Sequence, residues 1–182
     1  MSDKTAEISA SVKAASGELS DLATRTEQIA QEAREKYESA AMHGWHGVAA
    51  NVFGAIEHLE VVVAQVQEAH GSCESTCTTL DEISDKMSSE DVAAHLVTAL
   101  GTIDTATTSL QGSSENVSQA ADACLAAGVE YLAGWISGLG DELVAVMERV
   151  AQSRADIDAE RTSAQAYADE AHAKREAPSP GN

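Results

Sequence analysis

Aromatic side chains make up only three per cent of this 182-residue chain, and its two prolines, Pro178 and Pro180, both stand near the C-terminus. A core with so few rings has to be built from Ala, Val, Leu and Ile. Such a core packs helices closely and leaves little room for a ligand pocket, because pockets are lined by bulky apolar and aromatic groups. A small-molecule substrate and a cofactor are therefore not expected. Positive charge is also scarce: eleven Lys and Arg face thirty Asp and Glu, for a formal net charge of -19. Phosphate backbones and anionic lipid surfaces are repelled by such a chain, which excludes nucleic acid as a partner and suits a solvated surface or a basic one. Three cysteines, Cys73, Cys77 and Cys124, form no disulfide framework and favour a reducing compartment. The longest strongly apolar stretch, Val61 to Ala64, is far too short for a transmembrane segment. The first thirty residues carry Asp3, Glu7, Glu18, Asp21 and Glu27, with no secretory leader among them. The expected location is the cytoplasm, or outside the cell by a route that reads no cleaved signal.

What the chain does have is a sustained apolar repeat of alternating four- and three-residue spacing, in four blocks. The first runs from Ile8 through Val12, Leu19 and Leu22 to Lys36 and Ala40. The second reads Val52, Ile56, Leu59, Val63, Val66, His70, Cys73, Cys77 and Leu80, closed by Met87. The third runs from Val92 through Ala99, Ile103, Ala106 and Leu110 to Cys124, and the fourth from Ile136 through Leu143, Ser153 and Glu160 to Ala164. Spacing of this kind predicts helices that pack along a coiled-coil-like seam.

Helix breakers separate the blocks. His43-Gly44-Trp45-His46-Gly47 lies between the first two, 86–90 between the next two, and glycines at 128, 134, 138 and 140 loosen the third junction. Helices are expected near 4–42, 47–87, 89–127 and 131–175, with Ser88 or Ser89 capping the third and a disordered tail over 177–182. Connections this short make successive helices antiparallel neighbours, so the expected fold is all-α: an elongated antiparallel four-helix bundle of two tandem hairpins, 1–87 and 88–176. A shift of 84 residues lays one half on the other, placing Ile8 on Val92, Leu59 on Leu143, Gly54 on Gly138 and Gly44 on Gly128.

Trp45-His46-Gly47 stands at the first turn, between two long helices. In this position it resembles the WxG family of type VII secretion substrates, small acidic helical hairpins of bacteria that lack a leader and pair into four-helix bundles. The resemblance covers 1–87, with Val129 at the place of Trp45 in the second half. It implies that Gly47 lets the backbone reverse while Trp45 packs over the end of the hairpin, and that the partners are proteins: type VII secretion components or a second copy of the chain. The family's export signal, Tyr followed four residues later by an acid, is not matched. Tyr37, Tyr131 and Tyr167 are followed at that spacing by Ala41, Trp135 and Ala171.

His70, Cys73 and Cys77 fall at i, i+3 and i+7 on one helical face. An imidazole and two thiolates suit zinc or copper, with His95 the one candidate for a fourth ligand. The same residues serve equally as small apolar packing and as a polar layer that fixes register. No catalytic constellation is evident: the acids fall mostly opposite the seams, and His43, His46 and His58 lack a nearby nucleophile. The chain therefore reads as a non-enzymatic protein-interaction bundle. The competing readings are a cytoplasmic coiled-coil scaffold or granule coat, and a metal-binding bundle.

Overall fold

The computed structural model describes residues 2–176, and the expected tail at 177–182 lies outside them. The chain forms four α-helices: α1 (Ser2–Met42), α2 (His46–Asp81), α3 (Ser89–Ala126) and α4 (Glu130–Glu176). At 1.5 Å of rise per residue they are about 55–70 Å long. α1 packs on α2 and α4, and α3 packs on α2 and α4, with the α1/α4 contact the sparsest of the four. Side-chain contacts fix the register. Between α1 and α2 they join Ser9 to Asp81, Ser16 to His70 and Arg34 to Glu60. Between α2 and α3 they join Thr76 to Thr102, Ser109 to Glu68 and His58 to Asn116. Between α1 and α4 they join Lys4 to Glu160, Ser11 to Ser153 and Arg149 to Glu18. In each set the numbers fall on one helix as they rise on the other.

One continuous core runs through all four helices. Leu and Ile at Leu19, Leu59, Leu96, Ile103, Leu139, Leu143 and Ile157 alternate with Ala15, Ala99, Ala106 and Ala120, all of them fully buried or nearly so. Some of the buried hydroxyls among them are satisfied by their own helix, Thr26 donating to the Leu22 carbonyl at 2.7 Å and Ser113 to the Ser109 carbonyl at 3.0 Å, while Ser109 donates across to Glu68 of α2 at 2.9 Å. Glu160 is only 4% exposed, and Lys4 reaches it at 3.6 Å.

The seams of α1, α3 and α4 fall where the repeat places them, except for half-exposed Lys36. α2 differs. Val63, His70 and Cys77 are only half-buried, while the preceding residues Val62, Ala69 and Thr76 are buried. The heptad allows either set beside the Val52, Leu59, Val66, Cys73 and Leu80 line, and packing against the neighbouring helices buries Val62, Ala69 and Thr76, which leaves the polar His70 at the flank, where its ring reaches the Ser16 carbonyl. α2 also ends six residues before 87. Ile83 leaves the helix to turn inward and is buried, so the end of the seam is covered by Ile83 with Met87 at its flank. Ser88 then caps α3, its hydroxyl accepting from the Asp91 N–H at 3.1 Å. Contrary to the expectation from its longest apolar run, α2 is long and apolar enough to cross a membrane, yet one of its faces is part of this core.

The first turn corrects the role expected of Gly47. Gly44 has φ +73°, the Trp45 N–H bonds the Ala40 carbonyl at 2.9 Å and the Gly44 N–H bonds the Ala41 carbonyl at 3.1 Å. This is a Schellman cap, and the glycine that reverses the chain is Gly44. Gly47 is already inside α2, with open space where a Cβ would stand. The α3–α4 turn repeats the device, with Gly128 at φ +69° and Val129 N–H bonded to the Cys124 carbonyl. Gly44→Ala and Gly128→Ala are each expected to cost about 1–2 kcal/mol, the strain of a left-handed L-residue. Gly47→Ala should be neutral or stabilising by about 0.5–1 kcal/mol, since Ala suits a helix interior better. Urea melts of the three variants check this, and a Gly47→Ala loss as large as that of Gly44→Ala would contradict the assignment.

Candidate functional site

Five of the six aromatic residues, Tyr37, Trp45, Phe53, Tyr131 and Trp135, lie at the end of the bundle that carries the Gly44 and Gly128 turns. The α2/α3 register runs down through His58 and Asn116 to this end, so the two turns are neighbours. Large apolar side chains are turned outward there: Met42 is 81% exposed, Trp45 52%, Trp135 48%, with Phe53, Leu125 and Tyr131 comparable. Two ring pairs frame the surface. Tyr37 of α1 tilts against Phe53 of α2 at 5.7 Å between centroids, and Tyr131 meets Trp135 edge to face at 5.2 Å within α4. Exposed apolar side chains gathered at one end of the bundle make that end a candidate place of contact with another molecule.

Trp45 is placed at the turn as expected, but it is not buried over the end of the seam. It stacks on the His43 ring at 5.1 Å and 29° and remains half-exposed, while His46 is fully outside. Val129, in the equivalent turn position, is 4% exposed and covers its end of the seam, whereas Trp45 stays outside.

Beside the Tyr131–Trp135 pair a cleft of about 590 Å³ opens between α1 and α4, lined by Arg25, Gln28, Ile29, Glu32, Gly134, Trp135 and Gly138. Partial burial, then the nearby charges of Glu32, Cys124 and Glu35, raise the Tyr131 phenol above its ordinary range. Two carboxylates, Glu32 and Glu35, thus stand near the Tyr131 ring.

The metal candidates are not brought together. His70 Nδ1 donates to the Ser16 carbonyl at 3.0 Å, with Ser16 Oγ at 2.8 Å, and its Nε2 stands 3.6 Å from Glu74. His95 on α3 is turned to Glu82, 3.7 Å away, and to the Asp91 carbonyl. The Cys77 thiol donates to the Ser9 carbonyl at 3.7 Å, and Cys73 is fully buried. Among the described residues no group of three or more His, Cys, Asp or Glu side chains is placed to hold a metal ion. Burial raises all three thiols, and the Cys77 charge adds to it at Cys73, which is pushed up to about 12. Thiols so poorly ionised are weak ligands and weak nucleophiles.

The aromatic surface was not singled out from the repeat, since Tyr131, Trp135, Phe53 and Leu125 fall outside the seams. Its signal in the sequence was the crowding of scarce rings into the segments on either side of two glycine turns. The sequence matches no protein-family model, no curated protein and no solved structure.

Two outcomes follow. Trp45→Ala should cost about 1 kcal/mol, well short of the ~3–5 kcal/mol for a buried ring. In a Trp135→Phe background, iodide should quench Trp45 readily in the native state, and a shielded Trp45 would refute the exposed placement. For Cys73, the folded-state pKa lies above the unfolded one. Its contribution to stability is therefore fully present below about pH 9 and is lost as pH rises toward 12. Cys73→Ala should flatten the alkaline fall in unfolding free energy by up to about 1.4 kcal/mol per pH unit in that window. Equal slopes for the two proteins in pH-resolved urea melts would refute it.

Proposed function

We propose that this chain is a non-enzymatic protein-interaction module, two antiparallel helical hairpins closed on each other, that acts as a WxG-type secretion substrate or as the partner of one. The observation that carries the reading is the exposed aromatic end, a surface for which the fold itself has no use. Support for the hairpin arrangement comes from the opposed numbering of every side-chain pair between neighbouring helices and from a core that all four helices share. Trp45, His46 and Gly47 stand at the mouth of the first turn, where an outward-facing indole is available to a partner. Because the Tyr-plus-acid signal is missing, export in this reading depends on a partner that carries it, and the unpartnered protein stays in the cytoplasm.

The test is the culture filtrate of the native host. The protein is expected there in the wild type and not in a strain lacking the membrane-anchored type VII ATPase; equal amounts in both strains would remove the secretion reading. The competing scaffold reading is favoured by a lateral apolar groove of about 310 Å³ between α3 and α4, lined in part by Leu110, Val144 and Met147. Sedimentation equilibrium separates the two. A monomeric whole chain with a self-associating 1–87 fragment fits the interaction module, whereas an obligate assembly of the whole chain fits the scaffold.

A further inference from the structure

Resting on that interaction reading, we infer that the cleft between α1 and α4 at the aromatic end receives a basic amphipathic helix of a partner protein, with a Lys or Arg laid over the Tyr131–Trp135 pair. The cleft has the shape for it. α1 and α4 approach each other least of the neighbouring helices, and Gly134 and Gly138 leave the α4 backbone bare along one edge of the opening. A Cβ placed on either glycine meets nothing within 4 Å. Small residues of this kind let a further helix come close to a backbone, while Ile29 and the Trp135 ring offer apolar area to its non-polar face.

Charge selects the sign of the partner. Glu32 lines the same cleft as Trp135, and both Glu32 and Glu35 act on the Tyr131 phenol. Glu38, Asp122 and Glu130 are exposed at the same end. The nearby cations are already engaged: Arg25 is paired with Glu142, and Arg34 with Glu60 at 2.8 Å. Only Lys36 on α1 stands against this acidic surplus. The ring faces of Tyr131 and Trp135 carry partial negative charge as well, and a cation over a half-exposed aromatic pair flanked by carboxylates gains from both. An acidic or phosphate-bearing partner would meet repulsion at each of these groups.

The inference is tested with the whole chain, a designed amphipathic helix of Lys and Leu, and its Glu and Leu counterpart. Calorimetry should show one Lys–Leu helix bound per chain, with a shift of Trp135 emission read in a Trp45→Phe background, and no binding of the acidic counterpart. Trp135→Ala and Glu32→Lys should each weaken binding about tenfold. Gly138→Leu, which fills the cleft, should abolish binding without lowering the melting temperature; Gly134→Leu replaces it if the melt changes. Affinity untouched by Trp135→Ala and by the glycine variants would mean diffuse attraction to an acidic surface, and the inference falls. It falls equally if the Lys–Leu helix does not bind. A photo-crosslinking residue at position 28, on the α1 side of the cleft, in the native host separates this failure from that of the broader reading. Capture of an acidic or uncharged protein there, without Lys–Leu binding, overturns the basic partner but leaves the interaction module standing; no capture and no binding overturn both.

Discussion

The distance between helices governs this molecule. Ala, Ser and Thr stand among the Leu, Ile and Val of the core, and the buried hydroxyls find partners either on their own helix, as Thr26 does at Leu22 and Ser113 at Ser109, or on the next one, as Ser9 does at Asp81 and Ser109 at Glu68. The helices can therefore approach without stranding these hydroxyls. Close approach multiplies weak dispersion contacts along rods about 55–70 Å long, which offsets the modest apolar area that each Ala contributes. Five of the six rings stand at one end of the bundle, Tyr37 half-buried against the core and the other four outside it.

The same constraint explains which parts of the structure were legible in the sequence. Helix number, the seams of α1, α3 and α4, the Ser88 cap and the glycine turns follow from periodicity and local backbone chemistry, which act over a few residues. The α2 register did not follow. Its heptad offers Val62, Ala69 and Thr76 or Val63, His70 and Cys77, and only packing against the other helices selects the first set. The inward turn of Ile83 is likewise a tertiary event: no residue near it breaks a helix as Pro would, and the chain bends because an apolar side chain finds cover beneath the bundle end.

The candidate site shows the same division. Trp45-His46-Gly47 was visible as a pattern at a turn, but its letters carry different duties here. Gly44 makes the reversal, Gly47 continues the helix and Trp45 faces solvent. The His70, Cys73 and Cys77 stripe looked like chemistry only while the three shared one face at one depth; a half-turned histidine, a flanking thiol and a buried thiol do not make one site. The Tyr131–Trp135 pair lies off every seam, and a reading built on core periodicity passes over residues whose role is to remain outside the core.

The two capped turns, Gly44 and Gly128, share a backbone but not a decoration. One carries a tryptophan laid across its mouth and the other a valine sunk into the interior, with its tryptophan displaced onto the following helix. A symmetric pair of separate chains could not make this distinction, since each would bear the same residue at the same place. Joining both turns in one polypeptide breaks the twofold equivalence of the bundle end. The end of the bundle thus has a left and a right, where a symmetric end would present the same face twice.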